Sequence, residues 1–270
     1  MTYTILARDS ATGDLGIGVA SRYLAVGATV PWARAGVGAV VTQALTEPFY
    51  GPQVLDSLAA EVPVAAALDA ALAQDPHREL RQVGVIDRHG VVAVHTGTGC
   101  IPYSEHVSED GILAMGNLLR RQGTAAAMAA AFRGGSGSFA ARMLEALTAG
   151  QAHGGDLRGR QSAALLVVSE RGANAGTNLR VDDHTDPLAE LARLLEMHQA
   201  YQLLGSGLNR LFIGESEAAA VDIAGALASM RGSQIEFWHR MAAGLSVADL
   251  GPQWQELERR LRESNRLPPD

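Results

Sequence analysis

Thr2-Tyr3-Thr4-Ile5-Leu6-Ala7-Arg8 alternates in the manner of a half-buried strand, and it places a threonine directly behind the initiating methionine. Removal of Met1 by the ordinary aminopeptidase, which accepts a small second residue, would leave one residue with both a hydroxyl and a free α-amine. An alkyl hydroxyl attacks a carbonyl only if a neighbouring base takes its proton. The α-amine has a reference pKa of about 7.7–8.0, against about 10.4 for lysine, so a useful fraction is unprotonated near neutrality. Thr2 therefore reads as a nucleophile with its own base, and its plainer reading is an ordinary strand threonine.

Working outward, Asp9-Ser10-Ala11-Thr12-Gly13-Asp14 is turn-rich and Leu15 to Ser21 alternates again, which predicts a hairpin with a longer loop. Val26 to Arg34 and Val37 to Gln43 read as further strands. The glycines of Leu15-Gly16-Ile17-Gly18 and Gly36-Val37-Gly38 predict close backbone approach or bulges. They are not a dinucleotide fingerprint, which needs a strand, a glycine turn and an immediate helix. From Gly51 the period becomes helical, with a second helix opening after Pro63. A hairpin follows (Gln82 to Asp87, Val91 to Thr96), then a short strand from Ile112 to Gly116. Helices are predicted over Thr124 to Phe132 and Phe139 to Ala149, and the glycine-serine run between them lacks the lysine of a phosphate loop.

The chain has 270 residues, 47% of them apolar and 19% charged, which is an ordinary globular composition. Its net charge is -7, an acidic balance that argues against nucleic acid as a partner. All 22 basic residues are arginine, so neither Schiff-base chemistry nor a lysine base is open to it. Cys100 is the only cysteine, which excludes an internal disulfide and a thiolate metal cage. No apolar run reaches the roughly 18 residues of a membrane span, and the start lacks the pattern of a secretory signal, so a cytoplasmic protein is expected.

Gly154-Gly155-Asp156-Leu157-Arg158-Gly159-Arg160-Gln161-Ser162 is polar and glycine-rich, yet it feeds the apolar run Ala163 to Val168, the pattern of a buried strand. It delivers charged and amide side chains to the mouth of a core element, as functional groups or as a structural ion-pair network. Asn178 to Asp182 reads as the last strand. Asp182-Asp183-His184-Thr185-Asp186-Pro187 holds oxygen and nitrogen ligands, but Asp186 before Pro187 is a strong helix start for Leu188 to Leu203, and no metal or other cofactor is expected. Gly205-Ser206-Gly207 reads as a joint. Beyond it Ala218 to Met230, Gln234 to Ala243 and Gln253 to Arg262 read as helices.

The order strands, helix pair, strands, helix pair, strands, helix points to an α+β protein of four layers, an αββα sandwich of mainly antiparallel sheets. Residues 2–204 would form it and residues 205–270 a helical extension that lids the site or makes a subunit interface, with a homodimer expected. Thr2 to Asp9, Gly16 to Gln43, Arg81 to Asp87, His95-Thr96-Gly97, Gly116-Asn117, Gly154 to Val168 and Leu179 to Pro187 closely resemble the bacterial family called domain of unknown function 1028. That family is grouped with the N-terminal-nucleophile (Ntn) hydrolases, whose fold is the same sandwich. The resemblance implies Thr2 as nucleophile. It sets Ser21 where the proteasome-like pattern carries an aspartate, and Arg34 near its usual lysine, where a fixed charge would depress the pKa of the α-amine. Ser162 would be the supporting serine, and Gln43, Asn117, Asp156 and Arg160 would orient the site or the substrate. The function expected is an amidohydrolase acting on a small amide or modified amino acid. The alternative is a catalytically silent binding or scaffold protein of the same fold.

Overall fold

The structure is a computed structural model that describes residues 2–101, 103–172, 175–230 and 259. Its chain forms two compact units, Met1–Ala192 and Arg193–Asp270.

The first unit is built on two antiparallel sheets. The larger has β1 (Thr2–Arg8), β2 (Leu15–Ser21), β7 (Glu105–Glu109), β8 (Ile112–Asn117), β9 (Ser162–Val168) and β10 (Thr177–Val181), in the order β10-β9-β2-β1-β8-β7. The smaller has β3 (Pro31–Arg34), β4 (Gly38–Ala44), β5 (Arg81–Asp87) and β6 (Val92–Thr96), in that order. Strand side chains alternate between faces, so each central strand serves two cores. Leu6, Ile17, Val19, Leu113 and Met115 of the larger sheet pack with Ala39, Val41 and Ile86 of the smaller. On its other face the smaller sheet gives Val40, Val83 and Val85 to helices α1 (Tyr50–Ala59) and α2 (Val64–Gln74), through Val54, Leu55, Leu58, Leu68 and Ala71. Helices α3 (Thr124–Gly134) and α4 (Phe139–His153) pack on β8, β1 and β2. A Cβ on Gly16 would run into Met143 and Phe139 of α4, so the close approach read from the glycines of β2 is a helix seated on bare backbone.

Three elements differ from the sequence reading. Val26 to Arg34 is not one strand: Val26–Ala28 is a 3-10 turn and only Pro31–Arg34 is extended, because the Val26 N–H is drawn to Ser162 Oγ at 3.1 Å. Strand β7 was not predicted. Its sequence, Glu-His-Val-Ser-Glu, has one apolar residue, as suits an edge strand whose charges discourage pairing with another chain. The joint expected at Gly205-Ser206-Gly207 is absent, since helix α5 runs unbroken from Pro187 to Phe212. Glycine costs a helix about 1 kcal/mol each, but Gly207 sits where a Cβ would meet Ile223 of α6 (Ser216–Ser229), so it permits close helix packing. That contact belongs to the second unit's core, with Ala200, Leu204, Leu211, Ala219 and Leu227. The helices read at Gln234 to Ala243 and Gln253 to Arg262 lie outside the described residues. Among the described residues no helix is long and apolar enough to cross a membrane.

Candidate active site

The layer between the two sheets changes character along the strands. At the Arg8 end of β1 it is aliphatic, and at the Thr2 end the same alternation brings in hydroxyls and amides. The register Tyr3↔Ala20 sets Thr2 opposite Ser21, Ser21 pairs with Ser162, and Thr2 pairs with Asn117 on its other side. Residues directly opposite one another in a ladder share a face. Ser162, Ser21, Thr2 and Asn117 therefore form one row across four strands, all buried.

Thr2 Oγ1 donates to Ser21 Oγ at 3.3 Å. Behind the row lies a buried chain of amides. Thr4 Oγ1 donates to Gln43 Oε1 at 2.6 Å, and Gln43 Nε2 donates to Gln82 Oε1 at 2.8 Å and reaches the Thr2 carbonyl at 3.4 Å. Gln82 Oε1 also accepts from Asn117 Nδ2 at 3.1 Å, while Gln82 Nε2 serves the carbonyls of Gly116 and Glu105 and the Thr96 hydroxyl. A buried amide with all its partners in place fixes geometry, and one deprived of a partner is costly. Gln43 and Asn117 thus brace the Thr2 strand end. Gln82, the hub, was missed in the sequence because a polar residue near the start of a strand reads as its boundary. Its signal was the period-two spacing from Gly84 and Ile86, which puts it on the inter-sheet face.

Ser162 stands in the row two strands from Thr2, with Ser21 between them, and its hydroxyl is occupied there. It donates to the Tyr23 carbonyl at 2.5 Å and accepts from the Val26 N–H, pinning the segment that leaves β2. Asp156 holds the same segment: its buried carboxylate accepts from the Arg22 N–H at 2.7 Å and the Arg158 N–H at 2.8 Å, and pairs with the Arg158 guanidinium. Arg160 turns outward to Asp186 at 3.1 Å, with its carbonyl accepting from Arg22. Both are tied to the backbone beside the row and stand outside it. In the acidic stretch Asp182 pairs with Arg180, Asp183 accepts from Gln161, and His184 Nδ1 accepts from the Asp186 N–H. Among the described residues no group of three or more histidine, cysteine or acidic side chains is placed to hold a metal ion.

Arg34 is the correction. It pairs with Asp56 on α1 at 2.8 Å, with both side chains largely exposed. It sits at the wrong end of the sheets: Arg34 pairs with Gly38, Arg88 N donates to the Val37 carbonyl, and Arg8 Nε donates to the Arg88 carbonyl. The turn carrying Arg34 therefore adjoins the Arg8 end of β1, about 20 Å of strand from Thr2. An antiparallel hairpin sends successive strand ends to opposite edges, and Arg34 falls at the edge away from the nucleophile.

A cavity of about 260 Å³ adjoins the row. Asn117 lines it, with Ala44, Leu45, Leu80, Cys100, Ile101 and Leu118. Ala44 (φ 70°) and Leu118 (φ 51°) are left-handed, as is Ala25 (φ 53°) just beyond β2. Side chains adopt that region at a cost of about 1–3 kcal/mol, and such residues gather at functional sites. Cys100 is a poor nucleophile, because burial raises its thiol pKa and Sγ donates to the Arg81 carbonyl at 3.2 Å. Tyr3 is no base either: burial, and then the nearby Asp156 charge, push its phenol well above the usual range. The cavity wall at Leu45 is held by Arg81, whose guanidinium donates to the Leu45 carbonyl at 2.7 Å and pairs with buried Asp75 at 2.8 Å. A wider depression of about 550 Å³ is lined by residues of the second unit alone, from Gly214 to Val221.

Among solved structures, the crystal structure of a protein from Silicibacter pomeroyi assigned to the DUF1028 family is 31% identical, with a TM-score of 0.67 over 72% of this chain and 88% of that one. Anbu, an ancestral β-subunit from Yersinia bercovieri, is 12% identical with a TM-score of 0.35, over 78% of this chain and 97% of that one. No curated protein matches the chain. The family model described as a family of unknown function, DUF1028, matches residues 2–191, and the chain belongs to that family.

Proposed function

We propose that this chain is an N-terminal-nucleophile amidohydrolase with the four-layer αββα fold, and that Thr2 is its nucleophile once Met1 has been removed. The observation that carries the reading is the row Ser162, Ser21, Thr2, Asn117, a hydroxyl-rich line at one end of an otherwise aliphatic layer, with a cavity beside it. The α-amine of Thr2 takes the Oγ1 proton as Oγ1 attacks the amide carbon. Backbone N–H groups hold the oxyanion, the C–N bond breaks, and the departing amine leaves with the proton. Water then attacks the threonyl ester, gives a proton back to Oγ1 and releases the acid. Ser21, 3.3 Å from Oγ1, orients the hydroxyl, and the Gln43–Gln82–Asn117 amides keep the strand end rigid. Thr2 is only 5% exposed, so this reading also requires the strand end to open to substrate.

The second reading, a scaffold of the same fold without turnover, is favoured by two observations: Thr2 is buried, and Arg34 pairs with Asp56 far from Thr2 and supplies no charge to its amine. A panel of small amides decides between the two. The first reading expects turnover by protein starting at Thr2, at least about a hundredfold slower in Thr2→Ala, with Thr2→Ser retaining a substantial part. No amide turned over by protein starting at Thr2 supports the scaffold, and equal measurable rates in wild type and Thr2→Ala remove Thr2 as the nucleophile.

A further inference from the structure

We infer that the cavity beside Asn117 receives an uncharged, apolar group on the acyl side of the substrate, of branched-alkyl or aryl size. The inference rests on Thr2 as nucleophile and adds the substrate class. Asn117 lines the cavity and is the direct cross-strand neighbour of Thr2, which puts their Cα atoms about 5 Å apart. Ala44 lines it too, and follows Gln43, whose amide reaches the Thr2 carbonyl. A group attached to the carbonyl carbon under attack at Thr2 is thus within reach of the opening.

The lining selects against charge. Among the described residues it contains no ionisable side chain other than Cys100, which burial keeps as a neutral thiol. Arg81, in the network behind it, is already engaged by Asp75 and the Leu45 carbonyl, so it offers nothing to a substrate carboxylate. A carboxylate entering the cavity would give up part of its hydration to an apolar wall without gaining a cationic partner. Size follows from the volume. An apolar cavity of about 150 Å³ holds benzene, so about 260 Å³ takes a phenyl or isobutyl group with its methylene tether. Leu45, Leu80 and Ile101 stand at its wall 55%, 40% and 56% exposed, apolar surface that a bound group would cover. The left-handed turns at Ala44 and Leu118 carry the chain away as β4 and β8 end, which leaves the space open.

The test uses acetamide, isovaleramide, phenylacetamide and succinamate as substrates, read by ammonia release. In parallel, 19F NMR follows 4-fluorophenylacetamide binding to Thr2→Ala protein, where turnover plays no part. Isovaleramide and phenylacetamide should exceed acetamide in kcat/KM by at least about tenfold, with succinamate below all three. Ile101→Asp should remove most of that advantage and weaken 4-fluorophenylacetamide by at least about tenfold. Leu45→Asp, at another exposed position, should do the same if Ile101→Asp melts early. Equal kcat/KM for acetamide and phenylacetamide, or unchanged 4-fluorophenylacetamide binding in both variants, overturns the assignment while leaving the Thr2 reading intact. Specific binding that the variants abolish, with no amide hydrolysed by wild type, supports the cavity and removes the hydrolase.

Discussion

Acidifying this protein from pH 5 to pH 2 should cost it roughly 2 kcal/mol through one carboxylate, Asp75. The side chains of Asp75 and Arg81 are only 5% and 6% exposed, so their pairing is little screened by solvent. Burial alone would raise the Asp75 pKa, but hydrogen bonds from the Arg81 guanidinium, the His77 N–H and the Tyr50 hydroxyl outweigh it, and the carboxyl is held at about 2 against its ordinary 3.8. A folded-state value below the unfolded one means stabilisation that is complete above the unfolded value and lost as pH falls through the folded one. The interval between the two, at about 1.36 kcal/mol per pH unit, gives that roughly 2 kcal/mol. Urea unfolding of wild type and Asp75→Asn at pH 7, 5, 3.5 and 2 isolates the effect, since asparagine cannot titrate. At pH 7 the variant should be less stable by about 3–5 kcal/mol, because Arg81 is left buried without its counter-charge. By pH 2 the difference should have narrowed by roughly 2 kcal/mol. A difference that stays constant across the series would show that Asp75 is not held low by its partners, and the account of the cavity wall would fail with it.

Gln82→Leu keeps the volume but leaves the Gln43 and Asn117 amides without their shared acceptor; a loss of roughly 2–5 kcal/mol in urea unfolding is expected. Arg34→Ala removes an exposed pair, so it should cost at most about 1 kcal/mol by thermal melt and leave the pH profile of amide hydrolysis where it was. Chelator should leave turnover unchanged; loss that a divalent ion restores would return attention to Asp182, His184 and Asp186.

Much of this arrangement was legible because strands announce themselves by period two. Alternation located β1 and β2 and an apolar run located β9, and period two also determines that Thr2, Ser21, Gln43 and Ser162 share the inter-sheet layer with Leu6, Ile17, Val41 and Ala164. Arg34 escaped because a strand pattern says which face a residue takes, not which edge of the sheet its end reaches; that follows from the pairing Arg34↔Gly38 and the turn beside Arg88. Strand β7 escaped because an edge strand needs few apolar residues. The cavity had no signature at all. It arises where four separate segments, around Leu45, Leu80, Cys100 and Leu118, meet, and two of its turns place alanine and leucine where glycine is the usual choice.

The claim on which the account stands is that Thr2 acts through its own α-amine, and N-terminal mass spectrometry of protein with measured amide-hydrolysing activity tests it most directly. The active fraction should begin at Thr2, lighter than the encoded chain by one methionine residue. Fully active protein that still carries Met1 would contradict it, because an amide nitrogen cannot take the proton from Oγ1.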